Sequence, residues 1–170
     1  MNNIKIVFLI IVFLVISGLL QHIIHEMLHI LVGKLLGLYV VSVNWLSYHG
    51  GTKITFKGEE EVINNSDENI PKKWIIMNLA GIIGTTLLAY IFVLIYSLLP
   101  KGYIKLFFWV LSAMFLVADS GYSVLCSFSK SGDLYLVSKY FKNSIYIKII
   151  SILLLTLNII IFIFISKIIV

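Results

Sequence analysis

QHIIHEMLH, residues 21–29, places three histidines and a glutamate inside a segment that is otherwise apolar. In an α-helix, His25 and His29 lie one turn apart on the same face, so both imidazoles can reach one metal ion while Glu26 lies beside it. Ionisable side chains at the centre of a bilayer cost roughly 2.5–3.5 kcal/mol each and rarely occur there without a function. The HExxH spacing in this apolar setting therefore indicates a metal site rather than a chance match to a short pattern.

This pattern predicts a particular chemistry. Zinc held by two histidines and a third protein ligand keeps one coordination position open for water, and a neighbouring glutamate accepts a proton from that water as it attacks a carbonyl. His25 and His29 are thus the expected zinc ligands, and Glu26 is the expected general base. Asn78 is a candidate donor to the oxyanion, with a hydrogen bond that packs two helices as the alternative role.

Composition places the chain in the membrane. Of its 170 residues, 60% are hydrophobic and 12% are charged, and the mean hydropathy is +1.04. These values predict an all-α polytopic membrane protein with a single domain over residues 1–170. All thirteen basic residues are lysines. The net charge of +5 is therefore attributed to loop lysines that set orientation, and no nucleic acid is expected as a partner.

Long apolar segments predict about four transmembrane helices, over residues 4–37, 73–99, 103–118 and 145–169. The first would be about 50 Å long against a hydrocarbon core of about 30 Å, so this helix must tilt, protrude or bend. Gly37 provides its stop signal. The histidines then lie roughly 12–18 Å inside the C-terminal end of the helix.

Two segments interrupt this helical pattern. Alternating apolar and polar residues on both sides of Gly50-Gly51 predict a β-hairpin within the polar segment 38–72. This hairpin is either a simple connector or an edge strand that binds an extended peptide through its backbone. The serine-rich segment 119–133 is expected to be irregular and re-entrant, followed by a short helix over residues 134–142.

Lysine placement predicts the orientation of the bundle, because the side richer in lysine faces the cytosol. The metal helix's C-terminal end, the hairpin and the short helix are expected on that side, and both termini on the other. The lysines of the cytosolic side are Lys34, Lys53, Lys57, Lys72, Lys73, Lys130, Lys139, Lys142 and Lys148, and those of the outer side are Lys5, Lys101, Lys105 and Lys167.

A third zinc ligand is needed, because His25 and His29 alone do not complete a catalytic zinc site. Asp133 is the favoured candidate, since a carboxylate at membrane depth is stabilised by the charge of a metal. Its alternative role is the N-cap of the short helix that follows, and one residue can fill both roles. Asp119 is the rival ligand. His22 is a weaker candidate for the third ligand, and its alternative role is to line the wall of the cavity. A site without a third protein ligand also stays open.

With these residues assembled, the chain resembles the site-2 protease family of intramembrane zinc metallopeptidases. The resemblance covers most of residues 15–142. It rests on HEMLH at 25–29 with the stop at Gly37, on the Gly50-Gly51 hairpin, on Asn78-Leu79-Ala80-Gly81, and on Ser131-Gly132-Asp133. The chain departs from the family pattern at Leu28, where a glycine is frequent, and at Asp133, which stands in Gly-Asp-Leu rather than Leu-Asp-Gly.

The resemblance implies a zinc ion held by His25, His29 and Asp133, with Glu26 as general base. It implies a minimal family member without a PDZ domain, multi-pass in a prokaryotic cell membrane, with an active site that opens to the cytosol. The substrate would be a membrane-spanning or membrane-associated protein. A metal-binding membrane protein that no longer cleaves, or one that handles zinc, is the alternative, while a purely structural membrane protein would leave the HExxH residues unexplained.

Overall fold

The chain is mostly helical. The computed structural model describes residues 3–45, 52–64, 70–129, 132–141 and 144–168. In chain order, the elements are helix α1 (Asn3–Leu35), strands β1 (Val40–Asn44) and β2 (Lys53–Phe56), helices α2 (Glu59–Asn64), α3 (Lys72–Leu98) and α4 (Tyr103–Ala113), a π-helical turn (Met114–Ala118), and helices α5 (Asp119–Phe128), α6 (Asp133–Tyr140) and α7 (Ser144–Ile168).

Four helical stretches in the described residues are long and apolar enough to cross a membrane. They are Ile4–Leu35, Lys72–Leu98, Tyr103–Phe128 and Ser144–Lys167. Large apolar side chains such as Phe8 in α1 and Leu153 in α7 are exposed on their surfaces. A surface of this kind suits contact with lipid rather than water. The predicted fold is confirmed in its main features, a largely helical chain with four candidate membrane spans and a small β-hairpin, which suits an integral membrane protein.

Helix α1 ends at Leu35, two residues before its predicted end, and Gly37 forms the stop that the sequence indicated. Gly37 has a positive φ of 74°. The Leu38 N–H donates to the Gly33 carbonyl at 2.8 Å, and the Gly37 N–H donates to the Lys34 carbonyl at 3.0 Å. These two bonds form a Schellman motif. Because the helix stops at Leu35, its histidines lie about 9–15 Å from its end, nearer than expected.

The predicted hairpin is confirmed as a two-stranded antiparallel sheet in which Val43 lies opposite Ile54. Gly50-Gly51, the expected turn, lies outside the described residues. Phe56 at the end of β2 is buried, and its ring packs edge-on against Trp74 of α3, with 6.1 Å between the centroids. This contact fixes the hairpin against the start of the second span.

The structure corrects the prediction for residues 119–128, which are helical rather than irregular. The span expected to end at residue 118 continues through the π-helical turn into α5. The reason is local, because serine hydroxyls in α5 bond to the preceding helical turn. Ser123 Oγ donates to the Asp119 carbonyl at 3.0 Å, and Ser127 Oγ donates to the Val124 carbonyl at 2.7 Å. A helix therefore tolerates the polar residues that seemed to interrupt it.

The break in regular structure is shorter than predicted. Ser129 is extended and Gly132 has a φ of 82°, after which α6 begins at Asp133. Residues 130–131 lie outside the described residues, so the re-entrant course of this segment stays a prediction. The short helix ends at Tyr140, two residues before its expected end, and residues 142–143 are again outside the described ranges.

Two buried apolar clusters hold the bundle together. One, at the hairpin end, joins α3 to the hairpin, α6 and α7 and includes Trp74 and Val137. The other includes Ala89 of α3 and Phe115 of the π-helical turn. Helix α1 packs mainly along α3, which brings the histidine face of α1 against the first turns of α3. The packing of α1 on α3 thus positions the candidate site.

Candidate metal centre

Helix α1 supplies the first two groups of the site. His25 and His29 project from the same face, as their four-residue spacing requires. Only 4% of the His25 surface and 5% of the His29 surface is exposed. Their ring centroids lie 4.8 Å apart. Two imidazoles are thus buried side by side within an apolar helix.

Asp133 joins them from the first turn of α6. Its Oδ2 lies 2.9 Å from His25 Nε2 and 3.4 Å from His29 Nε2. One atom of each of these three residues lies within 4.8 Å of the others, so the group could hold a metal ion. The structure therefore brings together the three residues that the sequence favoured as ligands. We call them the triad.

The outer nitrogens of the two rings are already bonded. His29 Nδ1 lies 2.8 Å from the Met77 carbonyl oxygen, which can only accept, so this nitrogen carries the proton. His25 Nδ1 lies 3.0 Å from Oδ1 of Asp119, which favours the same tautomer. In a neutral ring, Nε2 then presents a lone pair. Both lone pairs are turned towards the carboxylate of Asp133.

This arrangement fits a bound cation. His29 Nε2 is buried and makes no hydrogen bond to any residue that the structure describes. A buried nitrogen without a partner is unfavourable, and lone pairs that face a carboxylate repel it unless a positive charge lies between them. A tetrahedral zinc site with bonds of about 2.0–2.1 Å separates its ligand atoms by roughly 3.3 Å. The distances of 2.9 and 3.4 Å are close to that separation.

Asp119, the rival third ligand, has a different place. This buried carboxylate accepts hydrogen bonds on Oδ1 from Gln21 Nε2 at 2.7 Å and from His25 Nδ1, while the Thr85 hydroxyl bonds to its other oxygen. A carboxylate in this position fixes the orientation of a metal-binding imidazole and increases its basicity. Asp119 therefore bonds to His25 Nδ1, the ring nitrogen that faces away from Asp133, and lies outside the triad.

Glu26 lies on α1 between the two histidines and is half-buried. It lines two cavities. The strand cavity, about 440 Å³, lies against β2 and also contains His29 and Asp133 in its wall. The helix cavity, about 400 Å³, lies against α5 and contains His25. Glu26 and Tyr122 line both, so Glu26 borders the cavity beside His29 and Asp133 as well as the cavity beside His25.

A second glutamate reaches the strand cavity. Glu59, at the start of α2, accepts a hydrogen bond from the Phe56 backbone N–H at 2.9 Å on Oε2. Burial raises the pKa of the Glu59 carboxyl above its ordinary value, and this hydrogen bond offsets part of the increase. Nothing in the sequence distinguishes Glu59 as a site residue, because it belongs to a run of three glutamates after the second strand.

Two other candidates lie near the triad but outside it. His22 Nε2 is 2.8 Å from the Thr52 hydroxyl and lines the helix cavity, which agrees with its alternative role in the cavity wall. Asn78 lines the strand cavity, and its amide donates to the Trp74 carbonyl of its own helix at 2.8 Å. His22 therefore connects α1 to the hairpin, and Asn78 retains one amide N–H beyond that bond.

Gly81 is a site residue whose role the sequence did not reveal. A Cβ atom added to it would lie 2.5 Å from Nε2 of both His25 and His29. Only hydrogen fits there, so the backbone of α3 lies directly against the two imidazoles. The small residues of α3 did indicate close helix packing, yet nothing in the sequence identified the histidines as the groups they pack against.

The site combines two imidazoles and a carboxylate as ligand groups with a separate carboxylate, Glu26, that lines both neighbouring cavities. These groups suit metal-dependent hydrolysis, and the N₂O donor set suits zinc among other first-row metals. Comparisons of the chain with protein-family models, with curated proteins and with solved structures gave no match.

Proposed function

We propose that the chain is a zinc-dependent intramembrane endopeptidase that hydrolyses peptide bonds of membrane-associated proteins near the cytosolic side. The observation that carries this proposal is the convergence of Asp133 on two histidines, His25 and His29, that lie within a candidate membrane span. Buried ionisable groups at this depth are costly unless they serve a bound ion or a reaction. The order of these residues along the chain also agrees with the resemblance to the site-2 proteases.

In this proposal, His25, His29 and Asp133 hold the zinc. The ion would act as a Lewis acid that polarises the scissile carbonyl and lowers the pKa of a water molecule towards neutrality. Asp133 is the only anionic ligand of the triad, so the centre keeps a net positive charge that favours carbonyl oxygen. The Met77 carbonyl and Asp119 keep both Nε2 lone pairs directed into the site.

Glu26 is the proposed general base. It accepts a proton from the attacking water as the water oxygen bonds to the carbonyl carbon, and it donates that proton to the amine nitrogen as the C–N bond breaks. The products are a carboxylic acid, which keeps the second proton of the water, and an amine. The half-buried position of Glu26 suits this role, because both cavities give a substrate access to its carboxylate.

The substrate would bind as an extended strand along the free edge of β2. In a two-stranded sheet each strand has one unpaired edge, and backbone groups of residues two apart face the same edge. The Phe56 N–H on this edge is already bonded to Glu59, so among the described residues the backbone of Ile54 is the part of this edge proposed to pair with a peptide. Ile54 lines the strand cavity. A helical substrate segment would therefore have to unwind before cleavage.

The proposal also includes a re-entrant segment and an orientation. Asp133 contacts His25, so α6 begins at the depth of the triad although it is not a candidate span. We place the return to the cytosolic surface along α6, where Lys139 lies in its last turn. The lysine distribution assigns the hairpin end to the cytosol.

Orientation is testable with two single cysteines in a Cys126→Ser background. Glu60→Cys on the hairpin side and Gly102→Cys at the opposite end of the bundle are both exposed positions. In intact cells, a membrane-impermeant thiol reagent should label Gly102→Cys and leave Glu60→Cys unlabelled until the membrane is permeabilised. Labelling of Glu60→Cys from outside would move the opening of the site to the other face.

Zinc content and peptide cleavage test the function itself. Purified wild-type chain in detergent should carry about one equivalent of zinc and cleave a membrane-anchored peptide, whereas His25→Ala should lose both. His22→Ala is the matched control, because it removes an imidazole from the same helix that contacts Thr52 and not the triad. Wild-type chain without zinc would contradict the proposal. Zinc without cleavage of any membrane substrate would favour the non-cleaving alternative.

A further inference from the structure

The π-helical turn Met114–Ala118 lies immediately before Asp119. A π-helical turn contains one more residue than an α-helical turn, so it rotates the chain that follows by about 100° relative to an uninterrupted α-helix. Asp119 is the first residue after it. The turn therefore sets the direction in which this carboxylate leaves the helix, and the observed direction is towards His25 Nδ1, 3.0 Å away.

A wider turn needs additional hydrogen-bond donors, because some of its carbonyls lose their α-helical partners. The Leu116 carbonyl, which lies in this turn, accepts two side-chain hydrogen bonds. Asn158 Nδ2 of α7 donates to it at 3.2 Å, and the Ser120 hydroxyl donates to it from the following turn. Both Leu116 and Asn158 are 0% exposed. Without the Asn158 amide, the buried Leu116 carbonyl would lose one hydrogen bond that water does not replace, which is unfavourable.

Asn158 is itself held in one orientation. The Tyr90 hydroxyl of α3 donates to Asn158 Oδ1 at 3.0 Å. Because the Leu116 carbonyl can only accept, the amide nitrogen must face the turn and the amide oxygen must face Tyr90. Two neighbouring helices thus cooperate at a single buried amide. A polar side chain in the middle of an apolar span is expensive unless it has such a purpose.

We infer that Asn158 is a positioning residue of the metal centre, which keeps the π-helical turn in the form that aims Asp119 at His25. This inference rests on the proposed zinc site. Asn158 touches neither the triad nor the two cavities among the described residues. Its effect reaches the ligand through three successive contacts, from Asn158 to Leu116, from the turn to Asp119, and from Asp119 to His25.

Zinc affinity, measured by competition with a chelator, tests the inference without any substrate. Asn158→Leu should weaken zinc binding by about tenfold, the lower range for loss of a group that supports a ligand. Ser151→Ala is the matched control. The buried Ser151 hydroxyl lies on the same helix and, in the part of the chain that the structure describes, bonds only to the Ile147 carbonyl of α7, so this variant should keep the wild-type affinity.

A double-mutant cycle separates positioning from general damage. In an Asp119→Ala background, the route from Asn158 to His25 is interrupted, so Asn158→Leu should no longer change zinc affinity. The same loss in both backgrounds, or unchanged affinity in Asn158→Leu alone, would overturn the inference. If Asn158→Leu does not fold, Tyr90→Phe takes its place, because it removes the hydrogen bond that orients the Asn158 amide. Tyr90→Phe should weaken zinc binding by less than the tenfold expected for Asn158→Leu, and wild-type zinc affinity in Tyr90→Phe would also overturn the inference. Absence of zinc from the wild-type chain would instead refute the proposed function.

Discussion

Glu26→Gln is expected to bind zinc as the wild-type chain does and to lose hydrolysis by about 10²–10⁴-fold, the usual contribution of a general base. Glutamine preserves the size of the side chain and removes its ability to take a proton. The triad does not include Glu26, so its three ligand groups are unchanged. Zinc analysis and cleavage of a membrane-anchored peptide, made on the same preparation, give both results.

Glu26→Asp is the matched control for this variant. It retains a carboxylate on a shorter side chain, and it should therefore cleave more slowly than the wild type but faster than Glu26→Gln. If Glu26→Gln lost zinc to the same extent as His25→Ala, Glu26 would be a ligand and its role as base would be wrong. Wild-type cleavage in Glu26→Gln would remove the glutamate from the reaction altogether.

The second large effect is expected at Asp133. Asp133→Asn should weaken zinc binding by more than the roughly 10–100-fold that loss of a supporting group costs, because an amide is a poorer and uncharged ligand. Asp119→Asn should cost less than Asp133→Asn, since the amide oxygen still accepts the proton of His25 Nδ1. Chelator competition with both variants, alongside their thermal unfolding, measures this difference.

The decisive result is which of the two variants, Asp133→Asn or Asp119→Asn, loses more zinc affinity. A larger loss in Asp119→Asn would make Asp119 the ligand and Asp133 its support. It would also end the resemblance to the site-2 proteases at the first helix, since Asp133 would then have no place in the centre. Equal and small losses in both variants would show that the two histidines bind zinc without a carboxylate.

The features that the sequence predicted well are those with a local cause. The HEMLH spacing needs only the geometry of one helix to bring His25 and His29 together, and the membrane helices follow from the length of the apolar runs. The hairpin follows from alternation over a few residues. Residues 119–128 were mispredicted because serine hydroxyls that bond to their own helix look, in sequence, like those of a loop.

The remainder of the site depends on contacts between distant parts of the chain. Asp119 and Asp133 were both candidates, and what separates them is that Asp119 projects from the helix after the π-helical turn towards His25 Nδ1, while Asp133 meets Nε2 of both histidines. Spacing alone does not encode such a turn. The contacts of the Met77 carbonyl and of Gly81 with the histidines could not be predicted from the sequence, because every residue has a carbonyl and glycine occurs for many structural reasons.

The contact between His25 and Asp133 joins positions 108 residues apart in the chain. A ligand that binds only the folded state stabilises it by about 2.7 kcal/mol when its free concentration is one hundred times Kd. The triad exists only when α1 and α6 have met, so an ion held there would couple folding to the supply of free zinc. The amount of intact protein in the membrane would then follow zinc availability, whether or not any substrate is being cut.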